Sequence, residues 1–216
     1  MKKTKICCIS SIKEAELAIK FGASAIGLVG EMPSGPGVIS DDLIAEIANI
    51  IPKNIDTFLL TSKTKVSEII KHYNKVKTTT IQLVDELTEG THYQLKKALP
   101  NVKVVQVLHV IDQQSVVEAI KLAPNVDAIL LDSGNPNLKI KELGGTGRVH
   151  NWELSKKIVE KVKIPVFLAG GISKNNVLDA IEMVNPYGLD LCSSVRTNGN
   201  LDEIKLMEFF EVIKNK

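Results

Sequence analysis

The chain has 216 residues, a formal net charge of +2, 44% hydrophobic residues and 4% aromatic ones. That length suits one domain with a substantial core, and the balanced charge gives no electrostatic reason to expect a nucleic-acid or membrane partner. Three cysteines, Cys7, Cys8 and Cys192, are odd in number and lack CxxC spacing, which argues against a disulfide framework or a zinc site and fits a reducing, cytoplasmic compartment.

Met1-Lys2-Lys3-Thr4 leads into a short apolar run ending at Ser10-Ser11, too short for a signal segment or a membrane span. Residues 5–9 form a strand candidate. Ser11 can cap a helix with apolar positions Ala15, Leu17, Ala18 and Phe21, and Gly22 ends it. Residues 25–29 form the next strand, and a loop from Gly30 to Gly37 carries two prolines and three glycines. Ser40 then caps a helix through Ile50.

The alternation continues with strands expected over 57–60, 79–84, 103–108, 128–131, 165–169 and 188–192. Helices are expected over 66–73, 91–99, 114–122, 152–162, 175–184 and 201–213. Eight strand and helix pairs in succession, with no linker between them, predict one α/β domain over residues 1–216, a (β/α)8 TIM barrel. An open doubly wound sheet ranks second, because such sheets usually have fewer strands.

In such a barrel the chemistry gathers where the strands finish. Asp132 directly follows the apolar run Ala128 to Leu131. An Asp there is commonly a loop or helix cap, but at a barrel mouth partial burial raises its pKa and equips it to deliver a proton. Cys7 shares a strand face with Lys5 and Ile9 by alternation, so it is a candidate thiolate base, whereas Cys8 reads as a small buried hydrophobe.

Glycine-rich segments at Gly144-Gly145-Thr146-Gly147 and Gly170-Gly171, with Cys192-Ser193-Ser194, flank the strands after which barrels often hold phosphate. Gly145, Thr146, Gly147, Gly170, Gly171, Ser193 and Ser194 are therefore the candidate phosphate contacts. His109 at the exit of the fifth strand and Arg196 are possible substrate contacts, and Arg148 could add charge. His72, His92 and His150 read as surface residues. Asp190 carries no catalytic expectation.

On these residues the sequence resembles the phosphoribosylanthranilate isomerase family. The matching stretches are Lys5-Ile6-Cys7, Leu130-Leu131-Asp132-Ser133, Gly144-Gly145-Thr146-Gly147 with Trp152, Leu168-Ala169-Gly170-Gly171-Ile172, Asn176-Val177, and Asn185-Pro186-Tyr187-Gly188 leading to Asp190 and Ser193. The resemblance implies a barrel that runs an Amadori rearrangement of an N-(5-phosphoribosyl) amine, in tryptophan biosynthesis, with no metal and no cofactor. It makes Asp132 the general acid that protonates the ribose ring oxygen and Cys7 the general base that removes the C2 proton. The glycine and serine segments become the phosphate cradle, and the partner is a small phosphosugar, the protein being a monomer or homodimer.

Four positions depart from the family pattern. Cys8 replaces a glycine, and Met32-Pro33-Ser34-Gly35-Pro36-Gly37 lacks the arginine that faces the anthranilate carboxylate. Val84-Asp85 stands for a His-Gly pair, and Cys192-Ser193-Ser194-Val195-Arg196 for Ser-Ser-Gly-Val-Glu. Either His109 or Arg196 makes the carboxylate contact, or the substrate is a different phosphosugar amine. The competing readings are an isomerase or epimerase on another sugar phosphate, and a barrel that binds a phosphorylated ligand without turnover.

Overall fold

The structure, a computed structural model, describes residues 2–134, 147 and 149–214. Eight parallel strands close into a barrel in sequence order: β1 (Lys3–Ile6), β2 (Ala25–Val29), β3 (Asp56–Thr61), β4 (Thr80–Leu83), β5 (Lys103–His109), β6 (Ala128–Asp132), β7 (Val166–Leu168) and β8 (Gly188–Leu191). The ring closes through β1 and β8, with Lys5 opposite Asp190 and Ile6 opposite Leu191. The open doubly wound sheet is thereby excluded.

Alternation along each strand divides the apolar residues between two cores. Leu59, Ile129, Leu131 and Leu168 face outward and pack with the helices. Phe58, Leu60, Ala128, Leu130 and Phe167 fill the interior. Phe58 and Phe167 meet edge to face there, with ring centroids 6.0 Å apart. The helices that cover the barrel are α1 (Ile12–Phe21), α2 (Asp41–Ile50), α3 (Val66–Val76), α4 (His92–Ala98), α5 (Gln113–Leu122), α6 (Trp152–Lys161), α7 (Val177–Val184) and α8 (Glu203–Lys214).

Local signals set the helix ends. The Ser11 hydroxyl accepts from the Glu14 amide and Gly22 closes α1 at φ 123°, while Ser40 caps α2 through the Leu43 amide. Such a cap is typically worth about 1 kcal/mol. A short hairpin of β9 (Arg196–Thr197) and β10 (Asn200–Leu201) precedes α8, a feature the sequence pattern does not announce. No helix among the described residues is long and apolar enough to cross a membrane.

The first strand ends earlier than the apolar run suggests. Cys8 takes a left-handed conformation, φ 63°, so the pleat stops after Ile6 and strict alternation does not extend to Ile9. Ile9 therefore joins Ile6 in the outer core, while Cys8 stays with Cys7 on the inner side. The expectation that Cys7 and Ile9 share a face is corrected accordingly.

Candidate active site

Cys7, Asp132, Gly170, Gly171, Ser193 and Ser194 line one cavity at the carboxyl ends of the strands, and Gly147 lies on its edge. Residues far apart in sequence meet because β1 lies beside β8, and β6 beside β7, in the closed ring. Gly145, Thr146 and Arg148 lie outside the described residues. The remaining wall is largely apolar, with Val29, Met32, Leu60 and Val84, and among the described lining residues none is Lys or Arg.

Cys7 is buried and stands one layer above Lys5, whose side chain is fully buried. The Lys5 ammonium lies 2.8 Å from Asp190 Oδ1 and 5.3 Å from the centre of the Phe58 ring. Burial alone would neutralise Lys5, but the Asp190 carboxylate and the Cys7 and Cys8 sulfurs outweigh it and hold the ammonium well above the ordinary lysine range. The same burial pushes Asp190 upward against the attraction of Lys5. A hydrogen bond from Cys8 and the charge of Lys5 lower the Cys7 thiol from its ordinary range, overcoming burial.

Asp132 shows the opposite tuning. Burial raises its carboxyl above the usual range, and negative charge on Cys7 adds to that, while the Ser133 amide, donating to Oδ1 at 2.8 Å, opposes it. A carboxyl whose pKa is raised and a thiol whose pKa is lowered thus face the same space. Paired groups pushed in opposite directions are what a two-step proton transfer needs.

The glycine corner is built by backbone. Gly170 and Gly171 have φ of 74° and 66°, a conformation L side chains rarely adopt. A methyl group on Gly170 would stand 2.9 Å from His150 Nδ1 and 3.0 Å from Ser133 Cβ. Asn176 fixes the turn from below, donating to the Gly171 carbonyl at 3.0 Å and accepting from the Ser173 amide at 2.8 Å. Across the corner Ser193–Val195 forms a single 3-10 turn, and Gly147 packs against Ser193. Among the described residues the buried Ser194 hydroxyl has no hydrogen-bond partner.

The two remaining candidates sit elsewhere. His109 lines a separate cavity with Asp85, Glu86 and Asp112. Arg196 is buried behind the site, bound to both Glu14 oxygens at 3.1 Å, to the Cys7 carbonyl at 3.3 Å and to the Cys8 carbonyl. It holds the backbone of the Cys7-Cys8 turn, and its side chain does not line the cavity.

Other residues escape a reading of the sequence. His72 is buried, 3.1 Å from Thr61 Oγ1 and 3.0 Å from Asp41 Oδ1. His150 is partly buried and bonded to Ser155 Oγ at 2.7 Å, and burial with neighbouring His109 lowers its pKa to about 4. Neither is the surface residue expected, since helix periodicity does not show that a histidine at a strand mouth turns inward. Gly27 reads in the sequence only as a strand residue, yet a Cβ there would lie 2.8 Å from Cys7 Sγ. Its missing side chain makes room for the thiol.

The fold and this constellation define a parallel-barrel enzyme of the acid–base kind, with a glycine-lined corner suited to an anion. A family model described as N-(5'phosphoribosyl)anthranilate (PRA) isomerase matches residues 4–212. The chain belongs to that family. It is 37% identical to N-(5'-phosphoribosyl)anthranilate isomerase 2 of Methanosarcina mazei, over 99% of this chain and 94% of that protein. The Pyrococcus furiosus N-(5'-phosphoribosyl)anthranilate isomerase structure aligns with a TM-score of 0.80 and 26% identity, covering 100% of both chains. The phosphoribosyl anthranilate isomerase structure from Thermotoga maritima gives a TM-score of 0.82 at 23% identity over 100% of both chains, a likeness of fold.

Proposed function

We propose that this chain isomerises N-(5-phosphoribosyl)anthranilate to the corresponding aminoketose phosphate, a step of tryptophan biosynthesis, in the cytoplasm. The observation that carries the reading is that Cys7 and Asp132, tuned in opposite directions, line one cavity beside the glycine corner. Family membership supplies the substrate class.

The phosphate is held by backbone at Gly170 and Gly171 and by Ser193 and Ser194, with Gly145, Thr146 and Gly147 completing the cradle. Asp132 gives its proton to the ribose ring oxygen. The C1–O bond breaks as the amine lone pair forms C1=N, and the open-chain Schiff base results. Cys7, as thiolate, removes the C2 proton, and the electron pair of that C–H bond passes through C2=C1 to neutralise the iminium nitrogen. The enolamine then tautomerises to the ketone. Both proton transfers are within reach of side-chain acid–base catalysis, so the step calls for neither metal nor cofactor.

The aglycone lies against the apolar side chains of Met32, Leu60 and Val84. The Glu14 pair already occupies Arg196, so the carboxylate contact does not come from it. Purified protein mixed with phosphoribosylanthranilate should abolish the anthranilate-type fluorescence in a protein-dependent manner. Unchanged fluorescence, with a phosphosugar still raising thermal stability, would shift the reading to another sugar phosphate or to binding alone.

A further inference from the structure

Three sulfurs stand in a row across the rim where the barrel closes. Cys192 Sγ lies 2.8 Å from Cys8 Sγ, and Cys8 in turn bonds to Cys7. All three cysteines are in the reduced form, Cys7 and Cys8 buried and Cys192 partly exposed at the cavity edge. The mechanism above uses only Cys7. Cys8 and Cys192 are left as a thiol pair that takes no proton in the proposed steps, Cys8 acting only through its hydrogen bond to Cys7.

Two observations show that the pair is built rather than incidental. Cys8 holds φ 63°, where a side chain is strained and where the family pattern carries glycine, so a sulfur is kept at a backbone cost. A Cβ on Gly37 would meet Cys8 Cβ at 2.5 Å, so the loop after β2 closes directly over this cysteine and confines it. The strands that lead into the pair, β1 and β8, are neighbours, and the Cys7 amide bonds to the Leu191 carbonyl at 2.7 Å. Adjacent strands lie about 4.8 Å apart, inside the span a disulfide bridges.

We infer that Cys8 and Cys192 form an oxidation site, closing to a disulfide across the rim when the protein meets a peroxide and thereby shutting the active site. The partly exposed Cys192 thiolate attacks hydrogen peroxide, its sulfur taking one oxygen as sulfenic acid while the other leaves as hydroxide. Cys8 sulfur then displaces the sulfenic hydroxyl, its proton and the one lost from Cys192 converting both oxygens to water. Two thiols are oxidised and one peroxide is reduced. Cys192 directly precedes Ser193 and Ser194, and Cys8 directly follows Cys7, so the new bond ties the phosphate corner to the base and removes the hydrogen bond that Cys8 gives Cys7. The inference rests on the proposed roles of Cys7 and the serines only for its effect on turnover.

Reduced full-length protein is treated with hydrogen peroxide, trapped with a thiol-alkylating reagent and mapped by tandem mass spectrometry without reduction. The expected product is an intramolecular Cys8–Cys192 peptide pair lighter by two hydrogens, present in wild type and in Cys7→Ser, absent in Cys8→Ser and in Cys192→Ser. Wild-type turnover should fall with the linked fraction and return on adding dithiothreitol. A link that disappears in Cys7→Ser but survives in Cys8→Ser would assign the pairing to Cys7 and overturn the inference. So would oxidation that leaves Cys8 and Cys192 both alkylated, or a linked protein with undiminished turnover. Because the Cys7→Ser readout is a mass, it stands even if the substrate assignment fails.

Discussion

The Lys5 ammonium, fully buried and 2.8 Å from Asp190, belongs to the residue two before Cys7, and both side chains turn toward Gly27 inside the barrel. An ion pair taken out of water is often no more stabilising than a well-packed apolar pair. Here its position directly under the thiol gives it an electrostatic task, because the ammonium favours the thiolate. Replacing both partners, Lys5→Met with Asp190→Leu, should leave the barrel folded and raise the pKa of Cys7. The thiolate ultraviolet absorbance, titrated with pH, should move to higher pH, and the pH profile of kcat/KM should shift with it. An unmoved titration in a folded double variant would deny the pair that task.

In the proposed mechanism Asp132 acts in its protonated form, and burial raises its pKa above the ordinary carboxylate range. Deprotonation of Asp132 removes the acid and protonation of Cys7 removes the base, so the proposed mechanism gives a bell-shaped profile. Asp132→Asn should reduce kcat by roughly 10²–10⁴, the range for losing a positioned acid, with little change in KM. The limb contributed by this carboxyl should vanish in the residual activity, which pH profiles of wild type and variant would reveal.

Gly27 tests the room around the base. A methyl group there would press on Cys7 Sγ at 2.8 Å and on Lys5 Cε at 3.0 Å. Gly27→Ala should lower kcat while the affinity for a phosphosugar product, measured by calorimetry, stays near wild type. The matching change at the corner, Gly170→Ala, should do the reverse and raise KM, since φ 74° and the clash with Ser133 both disturb the backbone proposed to meet the phosphate.

Glu14 and Arg196 bind each other and hold the turn that carries Cys7. Burial would raise Glu14, but Arg196 and the Leu201 and Ser10 amides bring it below the ordinary carboxylate range. A group whose pKa is lowered by folding stabilises the native state above its unfolded pKa, and that stability is lost as pH falls through the folded value. Glu14→Gln should therefore flatten the acid side of the stability profile. Arg196→Met, which strands a buried carboxylate, should cost about 3 kcal/mol in urea unfolding at neutral pH.

The barrel is legible because its signals are local and repeated. Ser11, Gly22 and Ser40 each sit where caps are expected, and the run Ala128 to Leu131 ends on Asp132 as a strand pointing at the mouth should. Less legible is anything decided across the ring. Asp190 looks idle in the sequence because its partner Lys5 is 185 positions away, and Arg196 looks like a ligand contact because Glu14, 182 positions away, gives no sign of claiming it. Gly27 is silent for a similar reason, since an absent side chain matters only beside the sulfur it accommodates.

The seam between β1 and β8 has a consequence for biosynthesis. Cys7 is made well before its amide partner Leu191, the Lys5 counter-ion Asp190 and the clamp Arg196, which follow it by almost the whole circuit of the barrel. A nascent chain thus carries this thiol without those partners until the eighth strand and the segment after it have been made. The thiol gains its native surroundings only when the end of the barrel emerges and the two edges meet.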